Sequence, residues 1–178
     1  MRASLIPYPG TVGSPAESIA VELRREGDRL WLTYRVRGDT GRIRPATPGE
    51  AVRTDELWRH TCFEAFISTD DGYREFNFAT TGQWASYSFS GYRQDMAPAP
   101  EEAELTSHQS GGDDLDLGFV VDLPASADRL ALSAVIEDVD GGLSYWALVH
   151  PSSKPDFHNA RSFTLALPAS EPTRDARP

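Results

Sequence analysis

Strict two-residue alternation of apolar and polar side chains between Leu57 and Tyr92 constrains this chain more than any other feature of its sequence. Successive side chains of a β-strand point to opposite faces of the sheet. The run Cys62–Ser68 therefore directs Phe63 and Ile67 to one face and Glu64 to the other. This segment predicts a strand with one apolar face and one face that carries polar groups.

The next run, Tyr73–Phe78, repeats the pattern, with Phe76 and Phe78 opposed to Glu75 and Asn77. If the phenylalanines of both runs face the core, the carboxyl and amide groups gather on the opposite face. Two indoles close to the strand ends would flank this polar face: Trp58 and Trp84. Carboxylates, an amide and indoles on one face suit a polyhydroxylated ligand, which needs hydrogen bonds at its edges and a flat surface under its ring.

Length and charge limit the classes of function. The chain has 178 residues and a formal net charge of −10. This length suits one domain with a substantial core, and the acidic balance without a basic patch argues against nucleic acid or an anionic membrane as a partner. A single cysteine excludes an intramolecular disulfide, and the sequence shows neither a signal-peptide pattern nor a membrane-spanning run. We expect a cytoplasmic protein, and its oligomeric state stays open.

The rest of the chain also suggests short strands between turns. Further strands are predicted at 19–23, 30–37, 104–108, 115–123, 130–137, 144–149 and 162–167. Residues 1–15 are expected to lie over the surface, and residues 38–53 to form a loop at the rim of a pocket. Residues 94–114 are expected to form a mobile connection. About nine strands without a long helix predict an all-β protein. The strand count itself favours an antiparallel β-sandwich of jelly-roll-like or immunoglobulin-like topology. Alternation alone does not distinguish this sandwich from a lipocalin-type barrel. Residues 1–168 would form this single domain and residues 169–178 a disordered tail.

Three segments resemble a known family. They are DELWRHTCFEAFIS (Asp55–Ser68), YREFNFATTGQWASYSFSGYR (Tyr73–Arg93) and YWALVHPSSKPDFHNARSFTLAL (Tyr145–Leu167). Together they resemble the DOMON-like proteins related to type 9 carbohydrate-binding modules, and HPSSKPDFH resembles a feature of a small bacterial subgroup. The resemblance implies a β-sandwich that holds a sugar or, in a cytochrome-type branch, haem. It also implies that tryptophans sandwich the sugar while acidic and amide groups grip its hydroxyls.

These observations define two sets of candidate residues. The ligand-binding set is Trp58, Asn77, Trp84, Tyr87, Arg93, Lys154 and His158. The catalytic set, if the protein is an enzyme on a sugar-like or other small organic substrate, is Glu64, Glu75 and His150. Two carboxyls on adjacent strands would raise one pKa into the range of acid or base catalysis, but ordinary polar positions on a solvated sheet face explain them equally well.

The loop between His150 and His158 allows two interpretations as well. Its ionisable groups could bind a carboxylate or phosphate, or Lys154 could pair locally with Asp156 in a plain surface loop. The single cysteine, Cys62, is either inert and buried or activated by His60.

No zinc spacing, phosphate-binding loop, dinucleotide-binding glycine pattern or nucleophile elbow is present in the sequence, so no metal and no cofactor are predicted. Haem is the one exception left open, because it needs an axial pair of ligands. The candidates for such a pair are Met96 with His60, His108, His150 or His158. The main expectation is a protein that binds a small molecule, with an enzyme and a haem-binding electron-transfer module as alternatives.

Overall fold

The computed structural model describes residues 1–47 and 49–169, so the predicted tail lies, apart from Ala169, outside the described residues. The described chain forms β-strands and three single-turn 3-10 helices, with no α-helix. Its helices include none long and apolar enough to span a membrane. The strands are β1 (Arg2–Pro7), β2 (Ala16–Glu26), β3 (Arg29–Gly38), β4 (Cys62–Thr69), β5 (Gly72–Phe78), β6 (Trp84–Phe89), β7 (Ala97–Pro98), β8 (Ala103–Gly111), β9 (Asp114–Asp122), β10 (Arg129–Glu137), β11 (Leu143–Ala147) and β12 (Leu165–Ala166). The 3-10 turns are Thr40–Arg42, Leu57–Arg59 and Ala160–Ser162.

All strands belong to one antiparallel sheet that curls like half a barrel. Their order is β7-β6-β5-β4-β10-β11-β1-β2-β3-β9-β8, with β12 beside β10. Strand β1 connects the two halves of the sheet, because residues 2–5 pair with β2 whereas Ile6 and Pro7 pair with β11. The inner faces of the two halves therefore meet across a shared core.

Aromatic side chains from both halves fill this core. Tyr34 of β3 packs against Phe63 of β4 with ring centroids 5.1 Å apart, and Phe78 of β5 stacks on Phe119 of β9 at 4.4 Å. All four side chains are essentially inaccessible to solvent. Each large apolar side chain that is fully buried contributes about 1.5–3 kcal/mol. The core therefore holds the phenylalanine faces of β4 and β5 inward and leaves their other faces outward.

The structure confirms an all-β antiparallel fold and corrects three segments. Residues 1–15 are not only a surface covering, because β1 takes backbone hydrogen bonds from both halves of the sheet. In the connection 94–114 the strand predicted at 104–108 is present and extends to the nine residues of β8 at the sheet edge beside β9, while the short β7 was not predicted. Most side chains of β8 are exposed, so apolar alternation is a weak signal there and backbone pairing defines the strand. The last predicted strand shrinks to β12, because a 3-10 turn occupies residues 160–162.

The outward faces of β4, β5, β6 and β10 are covered by protein. A second apolar cluster lies there and consists of Phe66, Tyr73, Ala85, Tyr87, Phe89 and Ala131, with Trp58, Phe157 and Phe163 packed against it. Phe157 and Phe163 come from the segment after β11, which we call the covering segment (residues 150–164). Because this segment crosses the sheet, polar side chains of β4 and β5 are buried beneath it rather than solvated.

Candidate ligand-binding site

A cavity of about 310 Å³ lies between the outward sheet face and the covering segment. It is lined by Trp58, Glu64, Glu75, Phe89, Arg93, Met96, Tyr145, Pro155, Phe157 and His158. Small-molecule sites span roughly 300–1,000 Å³. The cavity therefore has the size of a compact small-molecule site.

Two glutamates lie side by side in this cavity. Glu64 of β4 is opposite Asn77 of β5, and Glu75 stands two residues before Asn77, so the two carboxyl groups are diagonal neighbours. Diagonal positions on adjacent strands are about 7–8 Å apart in the backbone, within reach of long side chains. Glu64 is 3% exposed and Glu75 is 4% exposed. The structure thus brings the two predicted acid groups together and excludes a solvated sheet face as their explanation.

Each carboxyl group has one oxygen occupied by a neighbouring side chain. Ser133 Oγ of β10 donates to Glu64 Oε2 at 2.8 Å, and Asn77 Nδ2 donates to Glu75 Oε1 at 2.8 Å. The hydrogen bonds that the described residues make to these carboxyl groups reach Glu64 Oε2 and Glu75 Oε1, and none reaches Glu64 Oε1 or Glu75 Oε2. His158 Nε2 lies 3.7 Å from Glu75 Oε2. Two carboxyl oxygens are therefore available to a ligand.

Burial changes the protonation of this pair. Burial raises the pKa of Glu64 to about 8, and the nearby charge of Glu75 raises it as well. The hydrogen bond from Ser133 lowers the pKa of Glu64 and so opposes these two effects. Burial also raises the pKa of Glu75 to about 7, although the hydrogen bond from Asn77 and the charge of Arg93 lower it. Burial therefore favours the protonated forms of both carboxyl groups.

A hydrogen-bonded chain orients the histidine of the cavity. The backbone N–H of Arg93 donates to Tyr73 Oη at 3.2 Å, and Tyr73 Oη lies 2.8 Å from His158 Nδ1. Burial lowers the pKa of His158 to about 4, with the charge of Arg93 acting in the same direction and that of Asp156 opposing it. The ring is therefore neutral at pH 7. If the tyrosine hydroxyl donates to Nδ1, the proton of His158 sits on Nε2 and points toward Glu75.

Arg93 supplies the positive charge at the cavity. It occupies the tight connection after β6, where its φ of 53° is in the left-handed region. This backbone geometry presents its N–H to Tyr73, while its guanidinium Nη2 lies 3.5 Å from Asp156 Oδ1. Tyr92 Oη donates to the other oxygen of Asp156 at 3.1 Å. The Arg93 charge is thus partly compensated by a buried carboxylate of the covering segment.

Apolar and aromatic groups complete the walls. Trp58 lies in the 3-10 turn before β4 and meets Tyr87 edge-on, with ring centroids 5.7 Å apart. Tyr87 supports this wall, because its hydroxyl donates to Asp55 Oδ1 at 2.6 Å and its ring belongs to the outward apolar cluster. Trp58 lines the cavity and is half-buried, so one indole of the predicted pair is placed to contact a ligand.

Five predicted site residues do not line this cavity: Asn77 and Tyr87 support its walls, whereas Trp84, His150 and Lys154 lie elsewhere. Trp84 is paired directly opposite Phe78, so both side chains lie on the same sheet face and Trp84 packs against the inner core. The Arg53 guanidinium lies 4.6 Å from the centroid of the Trp84 ring. His150 Nε2 lies 2.9 Å from the carbonyl oxygen of Ile6, outside the cavity lining. Lys154 is exposed and borders a separate depression that is formed largely by residues of the covering segment.

Two further alternatives concern a reactive cysteine and haem. His60 Nδ1 lies 2.8 Å from Glu137 Oε2, so His60 is engaged away from Cys62. The Cys62 thiol is fully buried, and burial together with the charge of Glu64 raises its pKa well above the usual value, which disfavours the reactive thiolate. Within the cavity a haem ligand pair would consist of Met96 and His158, and Nδ1 of this histidine is hydrogen-bonded to Tyr73. Haem binding stays an untested alternative.

Sequence reasoning missed several residues of the site. Phe89, Tyr145, Pro155 and Phe157 line the cavity, and Tyr73 orients its histidine. Phe89 and Tyr73 share the strand parity of the glutamates, which is a signal that alternation contains. The sequence analysis singled out His158 in the covering segment, but this segment has no periodic pattern that would show Pro155 and Phe157 to line the cavity.

Neither models of known protein families nor curated proteins nor solved structures gave a match to this chain. The resemblance to DOMON-like proteins therefore stays a prediction, and the site is interpreted from its own geometry.

Proposed function

We propose that this protein binds a small polar ligand, a carbohydrate or sugar derivative, in the cavity beneath the covering segment. The observation that carries the proposal is the buried pair Glu64 and Glu75, each with one carboxyl oxygen free inside an aromatic-lined cavity. Burying two acidic groups costs free energy unless they are paired or hydrogen-bonded. A cost of this kind at a cavity wall is typical of a binding or catalytic site.

Each wall would have a separate role in binding. Trp58 provides a flat apolar surface for a ring, while the glutamates accept hydrogen bonds from its hydroxyl groups. Arg93 at the cavity would meet an acidic substituent, although Asp156 competes for its guanidinium. The volume of about 310 Å³ supports a ligand with one ring.

Calorimetric titration with monosaccharides, sugar acids, sugar phosphates and amino sugars would test this proposal. We expect at least one class to bind, and Trp58→Ala to weaken that affinity roughly tenfold or more. The matched control is Trp31→Ala, because Trp31 of β3 lies on the outward face of the other half of the sheet. Equal losses in both variants, or affinities unchanged by Trp58→Ala, would contradict the assignment of the cavity.

An enzyme is the second candidate, favoured by the protonation of the carboxyl pair. With pKa values of about 8 and about 7, one glutamate can donate a proton while the other accepts one near neutral pH. His158 Nε2, 3.7 Å from Glu75, would assist the transfer. Product analysis after incubation with a bound sugar tests this candidate: Glu64→Gln and Glu75→Gln should abolish turnover and retain binding. Persistent turnover in both variants would exclude the pair from catalysis.

The connections between the strands are also part of what we propose. We infer a DOMON-like β-sandwich with jelly-roll-like or immunoglobulin-like connections, located in the cytoplasm. The packing of two halves of one curled sheet across a shared core supports the sandwich description. An experimental structure with bound ligand would test both the connections and the cavity.

A further inference from the structure

Two acceptor groups of the cavity are only partly used by the protein. Glu64 and Glu75 both line the cavity, and in the described part of the chain no hydrogen bond reaches Glu64 Oε1 or Glu75 Oε2. A ligand hydroxyl offers one proton to such a pair, whereas an ammonium group offers three and also carries the opposite charge.

The walls around the two oxygens favour a cation. Trp58, Phe89, Tyr145 and Phe157 line the same cavity, and aromatic faces attract ammonium groups that lie within about 6 Å of the ring centroid. Aromatic rings and carboxylates together form the usual surroundings of a bound organic cation.

We propose that the cavity takes a ligand with a protonated amino group, which lies between Glu64 Oε1 and Glu75 Oε2. This inference rests on the proposed ligand-binding function and specifies its chemical class, an amine such as an amino sugar. The ammonium takes the place of a proton on the carboxyl pair. One carboxyl O–H bond breaks, its proton passes to solvent, and the carboxylate that remains is neutralised by the ligand.

Several charged and titratable groups surround the pair and must be included in this balance. They are Cys62 and Tyr73 on the sheet, Tyr87 of β6, Arg93 after β6, Tyr145 of β11, and Asp156 and His158 of the covering segment. Arg93 is the cation among them, and its guanidinium is 3.5 Å from Asp156. The neutral His158 adds no positive charge at pH 7. Because Asp156 already pairs with this guanidinium, a ligand cation could neutralise the charge that Glu64 and Glu75 gain when they lose their protons.

Proton release provides a direct signature of this arrangement. Burial keeps the empty pair partly protonated near pH 7. An ammonium between the carboxyl groups stabilises their charged forms and lowers their pKa values, so its binding expels protons. A neutral hydroxylated ligand supplies no charge and should expel few or none.

Matched pairs of probes test the inference with the full chain. The pairs are glucosamine with glucose, galactosamine with galactose, and cyclohexylamine with cyclohexanol, each titrated calorimetrically at pH 7 and in a pH-stat without amine buffer. In at least one pair we expect the amine to bind roughly 10- to 100-fold more tightly than its hydroxyl partner, as charge-assisted hydrogen bonds predict. We also expect proton release with the amine alone.

The variants Glu75→Gln and Glu64→Gln should each reduce the amine preference roughly tenfold or more and diminish proton release. Glu104→Gln, on the exposed side of β8, is the matched control and should preserve both. Circular dichroism and urea unfolding would establish that the variants are folded, and either cavity variant suffices for the test.

The outcomes separate the two proposals. Equal binding of sugars and their amines would overturn the amine inference and leave the proposed sugar binding intact. Binding of cyclohexylamine alone would support the inference and overturn a sugar as the ligand. Amine binding without proton release, unchanged in both cavity variants, would overturn the assignment to the carboxyl pair, and no binding by any probe would overturn both proposals.

Discussion

The substitution Glu75→Gln should make the stability of this protein less dependent on pH. A glutamine has nearly the same shape, and its carbonyl oxygen can still accept the hydrogen bond that Asn77 Nδ2 donates to Glu75 Oε1. The variant therefore removes an ionisable group with little change in packing. It also removes the charge that helps to raise the pKa of Glu64.

The magnitude follows from the shift of one carboxyl group. Burial raises the pKa of Glu75 from 4.5 to about 7, and each pKa unit corresponds to about 1.4 kcal/mol. Between these values the folded protein binds more protons than the unfolded chain, so the free energy of unfolding falls as pH rises. The stability that the protonated Glu75 contributes to the folded state is fully present below about pH 4.5 and is lost above about pH 7. Relative to the parent, Glu75→Gln should gain about 3 kcal/mol between pH 4.5 and pH 8.

Urea unfolding followed by tryptophan fluorescence at pH 5, 6, 7 and 8, at constant ionic strength, measures this gain. Carboxylates elsewhere titrate in both proteins and cancel in the difference. We expect the slope of free energy against urea to be unchanged, because the same surface is exposed on unfolding. Glu104→Gln, on an exposed strand position, should show no pH-dependent difference. A constant offset between Glu75→Gln and the parent at all four pH values would refute the argument from burial.

Three further predictions address the site and the core. Tyr73→Phe removes the hydroxyl that lies next to His158 Nδ1 and should lower the free energy of unfolding in urea by about 0.5–1.5 kcal/mol. It should also change the NMR signals of the ring nitrogens of His158, and unchanged signals would contradict the hydrogen-bonded chain from Arg93 through Tyr73 to His158. Phe78→Ala removes a buried ring stacked on Phe119 and should cost about 3–5 kcal/mol by the same unfolding assay, so a cost below about 1 kcal/mol would contradict its place in the core. Cys62 should react with a thiol reagent only when the protein unfolds, because its thiol is buried and its pKa is raised; rapid modification of the native protein would show that it is accessible.

Some of this structure follows from the sequence alone. Side-chain parity is a local property of an extended backbone, so the alternation around Phe63 and Glu64 separates their faces whatever the rest of the chain does. The same applies to Phe78 and Glu75. Once the phenylalanines face the core, the glutamates must face outward, and the structure has them there.

The tertiary structure alone decided what the outward face meets. Strand pairing places Trp84 opposite Phe78, so the indole of Trp84 points toward the core. The indole of Trp58, which lies in a 3-10 turn, lines the cavity instead. The covering segment brings His158 beside Glu75, while His150, at the start of that segment, contacts Ile6. These contacts join residues far apart in the chain, and no local periodicity encodes them. Burial of the glutamates, and with it their raised pKa values, depends on the same long-range packing, so the sequence by itself determined the faces and only the fold created the site.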